Sequence, residues 1–239
     1  MNYLKTMDIN KHKYMMLQIL RDIYSDLGLA NTLGFKGGSA LMFFYNLPRF
    51  SVDLDFNLIQ PHKEKETDVY QKIRTTLLKY GEIDDEAQKH FGPILVLNYG
   101  KGERKLKIEI SNRFQGDCFE VKTFMGINMF VMTVSDMFAH KLCALLDRNR
   151  LVNRDIFDCW FFMENRMPVN KNLIESRMKM PFSDYLQNCI DTLSSLSDKG
   201  LLNGIGDLID HNMKNFVRTK LRNETIMLLR FYKEFPITQ

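Results

Sequence analysis

No apolar run in the chain approaches the roughly 18 residues needed to span a bilayer, so no membrane association is expected. Cys118, Cys143, Cys159 and Cys189 are scattered, without a Cys-x-x-Cys pair, and no secretory segment opens the sequence. These absences argue against a disulfide framework or a cysteine zinc site, and predict a cytoplasmic protein with reduced thiols. The net charge is only +4. That tolerates contact with a polyanion but falls short of a dedicated nucleic-acid coat. Internal repeats and low-complexity linkers are absent. Histidine chemistry is also scarce: His12, His62, His90 and His211 lie in polar surroundings without spaced partners, and His140 sits beside Lys141. No His/Cys metal site and no Ser–His–Asp triad is therefore expected.

With 239 residues, 45% of them hydrophobic, the chain has ample material for a core in one large or two small domains. Apolar residues at helical spacing predict a helix over 9–27, with Tyr14, Leu17, Leu20, Ile23, Tyr24 and Leu27 inward. Gly28 and Gly34 punctuate the approach to Gly37-Gly38-Ser39, which opens a short apolar helix over 40–47 that Pro48 ends. A strand is predicted over 52–59. A helix follows over 62–80, with Val69, Ile73, Leu77 and Leu78 inward, and then an exposed acidic connection over 81–92. Ile94–Tyr99 and Lys105–Ile110 read as a hairpin around Gly100-Lys-Gly102, and two short strands are expected between Phe119 and Thr133. After Thr133 the pattern is helical throughout, with helices predicted over 135–149, 154–165, 171–178, 183–197 and 206–234. The expected architecture is α+β over 1–133 followed by an all-helical domain over 134–239, which would pack on the sheet as one wall of a cleft.

The period of two puts Asp53 and Asp55 on one face of their strand, with Leu54 and Phe56 on the other. Adjacent carboxylates repel unless a cation lies between them, so the pair points to a divalent metal rather than a merely solvated face. Gly37, Gly38 and Ser39 form a helix start whose spare N–H groups suit a phosphate, a role compatible with a plain turn and cap. Glu109 shares its strand face with Lys105 and Lys107. It either completes a three-carboxylate site for two ions or pairs with those lysines. In the helical half, Val134, Phe138, Lys141, Leu145 and Arg148 form one stripe, so a lysine interrupts an apolar face. It either snorkels to the edge or, if the stripe lines the cleft, meets triphosphate oxygens. Asp155 and Asp158, three apart, share a helix face and equally suit the helix dipole. Trp160, Phe161 and Phe162 read as core rather than a base-stacking platform. Lys214, Arg218, Lys220 and Arg222 read as a solvated basic face open to RNA.

Three segments together resemble the AbiEii/AbiGii toxin family within the polymerase-β-like nucleotidyltransferase superfamily. They are Lys36-Gly-Gly-Ser-Ala-Leu41, Arg49-Phe-Ser-Val-Asp-Leu-Asp-Phe56, and Ser135 to Phe162 with Lys-Leu-x-Ala followed by Arg-Asp-x-x-Asp. The resemblance implies a nucleotidyltransferase-like mixed sheet with flanking helices. It implies that Ser39 contacts the triphosphate, that Asp53 and Asp55 hold divalent metal, and that Glu109 lies where the superfamily places its third carboxylate. Lys141 resembles the family's essential lysine, and Asp155 or Asp158 its late essential aspartate. Arg49 and Ser51 match the Arg-x-Ser-x-Asp pattern that supports the phosphates. Related toxins transfer nucleotides to the 3′ end of tRNA or bind GTP, and such a toxin is accompanied by an antitoxin.

The resulting expectation is a Mg²⁺- or Mn²⁺-dependent toxin that transfers a nucleoside monophosphate from an NTP to an acceptor, the tRNA 3′ end. The alternative is a nucleotide-binding, non-catalytic interaction module. A nuclease of the Asp…Glu-x-Lys kind fits poorly, because Ile110 and Ser111 follow Glu109 while Lys107 precedes it.

Overall fold

The computed structural model describes residues 8–148 and 150–238. The described residues divide into two compact units. One runs to Asn46 and includes Phe50–Phe114 and Phe119–Met132, while the other takes Leu47–Arg49, Gln115–Cys118 and the chain from Thr133. The second unit thus draws two short segments from earlier in the sequence. Among the described residues no helix is long and apolar enough to cross a membrane, and the four cysteines are free thiols.

The first unit is built on a mixed seven-stranded sheet in the order β3-β4-β5-β2-β1-β7-β6. The strands are β1 Leu33–Lys36, β2 Leu54–Leu58, β3 Glu82–Lys89, β4 Gly92–Asn98, β5 Leu106–Ser111, β6 Phe119–Phe124 and β7 Ile127–Met132. Its helices are α1 Ile9–Ser25, α2 Leu27–Ala30, α3 Gly37–Tyr45 and α4 Lys63–Leu77. The fold is α+β, as the sequence pattern predicts.

Asp8 caps α1 by accepting the N–H of Lys11, and His12, Met16, Ile19, Leu20, Ile23 and Tyr24 form its buried face. The inward stripe therefore differs from the expected one. Tyr14 and Leu27 are exposed, because the buried stripe of α1 runs through His12 and Met16 instead, and Leu78, expected inward, is exposed at the C-terminal end of α4. Asn46, left-handed at φ 58°, closes α3, two residues before Pro48.

Two strands escape the sequence pattern. β1 has four residues, two of them Gly34 and Lys36, and its conformation is imposed by antiparallel pairing with β2 and parallel pairing with β7. β3 lies where a connection was expected. Its backbone pairs with β4 although half of its side chains are acidic and most are exposed, and such charge suits an edge strand that must not recruit another sheet.

The second unit is helical: α5 Val134–Asp147, α6 Asn153–Glu164, α7 Lys171–Met178, α8 Phe182–Ser195, a short 3₁₀ turn at Gly206–Leu208, α9 His211–Thr219 and α10 Leu221–Glu234. Asn149, at the expected end of the helix over 135–149, lies outside the described residues. The single helix expected over 206–234 is interrupted, with Lys220 at φ −130° ending α9 and starting α10. Phe138 stacks on Phe162 at 4.7 Å and meets Tyr232 edge-on, tying α5, α6 and α10 into one core. Phe161 and Phe162 are buried, and Trp160 packs between Phe157 and Phe216.

Candidate active site

In the first unit the central strands align charged residues in rows. Lys36 on β1 is opposite Asp55 on β2, and Asp55 is opposite Glu109 on β5. Two residues back along β5, on the same face, Lys107 places its ammonium 3.0 Å from Glu109 Oε2 and 3.8 Å from Asp53 Oδ2. Three carboxylates and two ammoniums therefore share one patch of sheet.

The electrostatics follow from that crowding. Burial pushes the Asp55 carboxyl up, opposed by Lys107 and reinforced by Glu109 and Asp53. Burial acts the same way on Glu109, but Lys107 outweighs it and holds Glu109 below the ordinary glutamate range. Lys107 is in turn raised, its desolvation overcome by Asp55, Asp53 and Glu109.

The turn before α3 fits closely around Asp55. Gly37 has φ +78°, and a Cβ there would come within 2.6 Å of Asp55 Oδ2, so only glycine admits both the conformation and the carboxylate. Gly38 and Ser39 are buried in the first turn of α3. The Ser39 hydroxyl donates to the backbone carbonyl of Asp53, fastening the helix start to the residue that enters β2. Ser51 is buried too, and its N–H points to the Met42 sulfur at 3.5 Å.

The donor set is all carboxylate oxygen, the chemistry of a hard divalent cation such as Mg²⁺ or Mn²⁺. By charge and donor type the residues fit such an ion. Among the described residues no three His, Cys, Asp or Glu side chains close on a common metal position. Glu109 and Asp53 face the Lys107 ammonium instead.

The second unit brings together Arg49, Lys141, Asp155 and Asp158. Arg49 donates to Asp158 from Nε at 2.6 Å and from Nη2 at 2.7 Å. Lys141 lies 2.8 Å from Asp158 and 2.9 Å from Asp155, and Arg148 Nε approaches the other oxygen of Asp155 at 3.1 Å. Burial opposes charge on Lys141, but Asp158 and Asp155 prevail and raise its pKa. Burial likewise pushes Asp158 up, but Arg49 and Lys141 hold it down at about 2. The lysine that breaks the apolar stripe of α5 is thus 19% exposed and held by two aspartates from α6. Asp155 and Asp158 are buried ion-pair partners rather than mere dipole-stabilising residues of a first turn.

Sequence reasoning missed two contributors. Lys107 was visible as a face-mate of Glu109, two residues away, but its approach to Asp53 depends on the pairing of β2 with β5. His12, expected in polar surroundings, is fully buried, with Nδ1 2.6 Å from the Tyr99 hydroxyl and Nε2 2.9 Å from the carbonyl of Val52, the residue before Asp53. His140, only partly buried, meets Asp117 at 2.6 Å and Arg177 at 3.0 Å.

Residues 18–187 match the family model described as nucleotidyl transferase AbiEii toxin, type IV TA system. Among curated proteins nothing matches. Among solved structures the chain is similar to JHP933 from Helicobacter pylori, with TM-score 0.60 and 19% identity over 95% of this chain and 93% of that one. It is also similar to MenT4, a nucleotidyltransferase toxin from Mycobacterium tuberculosis H37Rv, with TM-score 0.63 and 17% identity over 93% of this chain and 84% of that one. At these identities the two structures establish the fold, and the family match carries the activity class. The chain belongs to the AbiEii nucleotidyl transferase toxin family of type IV toxin–antitoxin systems.

Proposed function

We propose that the chain transfers a nucleoside monophosphate from an NTP to an RNA acceptor, the 3′ end of tRNA, and depends on Mg²⁺ or Mn²⁺ held by Asp53, Asp55 and Glu109. The observation that carries this reading is the row Asp55–Glu109 across β2 and β5, with Asp53 beside it and Gly37 reduced to bare backbone against Asp55. A bound divalent ion supplies Lewis-acid stabilisation of the charge developing on the phosphoryl and leaving-group oxygens.

The chain's own groups do the rest. The first-turn N–H groups of Gly37, Gly38 and Ser39 have no partner carbonyl within α3 and receive phosphate oxygens. The Ser39 hydroxyl acts through its bond to the Asp53 carbonyl, keeping that helix start and the carboxylates in fixed relation. Asp55, the carboxyl pushed up by burial and by its neighbours, takes the proton of the acceptor hydroxyl. Asp158 locks Arg49 and Lys141 in place, and Asp155 shares Lys141, leaving these buried cations as the unit's phosphate-directed charge. Ser51, two residues after Arg49, completes the Arg-x-Ser-x-Asp segment. Lys214, Arg218 and Lys220 offer a basic stretch to the RNA backbone. The same reading includes a cognate antitoxin as partner and the cytoplasm as the place of action.

The test combines the protein, Mg²⁺, each labelled NTP in turn and a tRNA pool. Label entering tRNA with the wild-type chain and not with Asp53→Ala supports the proposal. Failure of every NTP to label any RNA, or equal labelling by Asp53→Ala, overturns it.

A further inference from the structure

The carboxylate patch already contains a cation of its own. Lys107 Nζ is 3.0 Å from Glu109 Oε2 and 3.8 Å from Asp53 Oδ2, bridging two of the three proposed ligands. We infer that Lys107 is a resident counter-ion of this site, a positioning residue standing where a second divalent ion would join Asp53 to Glu109, so that the chain binds a single divalent ion. This rests on the metal-dependent reading above and specifies the stoichiometry of that site.

The geometry separates Lys107 from an ordinary surface lysine. Lys105, the next residue on the same face of the chain, turns to Asp84 and is 52% exposed. Lys107 is 36% exposed and directed at the site, and the β2–β5 register that sets Asp55 opposite Glu109 also brings Asp53 within its reach. Paired ions in two-metal sites sit about 3.5–4 Å apart and share carboxylates between them. An ammonium bridging Asp53 and Glu109 occupies that shared position, and a dication brought beside it would meet repulsion within a few ångströms.

The charge count agrees. Lys36, in register with Asp55, contributes a second ammonium, so three carboxylates and two lysines leave one net negative charge. One dication turns the patch weakly positive, which suits a triphosphate. Two would leave a large positive excess with no protein carboxylate to balance it.

The experiment is Mn²⁺ titration of the full chain without nucleotide, counted by electron paramagnetic resonance and checked by calorimetry. The expected result is one ion for wild type and for Lys107→Arg. For Lys107→Met and Lys107→Gln it is a second ion, or a first ion bound about tenfold or more tighter. Lys105→Met should behave as wild type. The polar Gln variant guards against a folding defect in the Met variant, and circular dichroism reports on both. Two ions in wild type, or Met and Gln variants that bind like wild type, overturn the role of Lys107 while leaving metal dependence intact. Wild type that binds no Mn²⁺ removes the metal reading and this inference with it.

Discussion

Arg49 and Asp158, 109 residues apart in the chain, form a two-point ion pair at 2.6 and 2.7 Å with side chains only 3% and 0% exposed. Lys141 approaches the same carboxylate at 2.8 Å, so one buried anion serves two cations. Removing the anion is therefore worse than removing either cation, since it takes an ion-pair partner from both at once. Asp158→Ala is expected to cost roughly 3–5 kcal/mol in urea unfolding. Asp155→Ala should cost clearly less, because Lys141 keeps Asp158 and Arg148 is already half exposed. Equal losses from the two variants would contradict the hub role of Asp158.

The same hub sets an acid limit. With its pKa held at about 2 by Arg49 and Lys141 against burial, Asp158 is more acidic folded than unfolded. Its stabilisation is fully present above the ordinary carboxylate range near ~4 and is lost as pH falls from there through about 2. Lys141 moves the other way: its pKa is raised, so its contribution is present below the unfolded lysine value and fades only as pH climbs through the raised one. Urea midpoints from neutral to strongly acidic pH should show wild type converging on Asp158→Asn at the acid end. Parallel curves down to pH 2 would rule the linkage out.

Much of this was legible in the residues. Alternation placed Asp53 and Asp55 on one strand face, and Gly37-Gly38-Ser39 announced a helix start, because those signals are local. β1 was not legible: four residues show no period, and their strand geometry comes from the neighbours on both sides. β3 was hidden by its acidic composition, since edge pairing uses backbone groups that carry no side-chain signature. The role of Asp155 and Asp158 was open for a similar reason. Helical spacing gave their common face, but the arrival of Arg49 depends on a short segment joining the helical unit from far upstream.

Gly37 offers a test of the turn against Asp55. Alanine there must hold φ near +78° and place a methyl 2.6 Å from Asp55 Oδ2. Left-handed strain alone costs on the order of 1 kcal/mol, and the carboxylate has to shift besides. Gly37→Ala is expected to fold with a lowered melting temperature and to lose more than about tenfold in Mn²⁺ affinity, because the displaced group is a proposed ligand. Gly126→Ala, also at positive φ but with open space around its Cβ, should lose stability alone. Unchanged metal affinity in Gly37→Ala would mean that the close approach serves only the turn.

Asp55 itself should be costly to the metal-free chain. Burial and two neighbouring carboxylates raise its pKa, so the ionised form is disfavoured on folding, and its contribution is present at acid pH and lost as pH rises through the raised value. Asp55→Asn leaves two carboxylates facing two lysines and should raise the unfolding free energy in EDTA at pH 7, while ending nucleotide transfer. A variant that is both inactive and less stable in EDTA would show that Asp55 is structurally favourable and not held under tension.

His12 provides the last lever, on the strand that carries the aspartates. The Val52 carbonyl can only accept, so Nε2 bears the proton, and Nδ1 accepts from the Tyr99 hydroxyl in the neutral ring. Burial lowers the His12 pKa, so its stabilisation is present above the unfolded value near ~6.5 and is lost as pH falls through the lower folded value. His12→Phe preserves the ring volume but leaves the Val52 carbonyl and the Tyr99 hydroxyl without this partner, at an expected ~1–3 kcal/mol. The acid limb below the unfolded histidine value near ~6.5 should flatten in that variant. Because Val52 precedes Asp53, a severalfold fall in Mn²⁺ affinity is expected alongside. Tyr99→Phe, which removes only the hydroxyl, should reproduce part of the stability loss and little of the metal effect. If His12→Phe leaves metal binding at the wild-type level, the buried histidine supports the fold without steering the carboxylates.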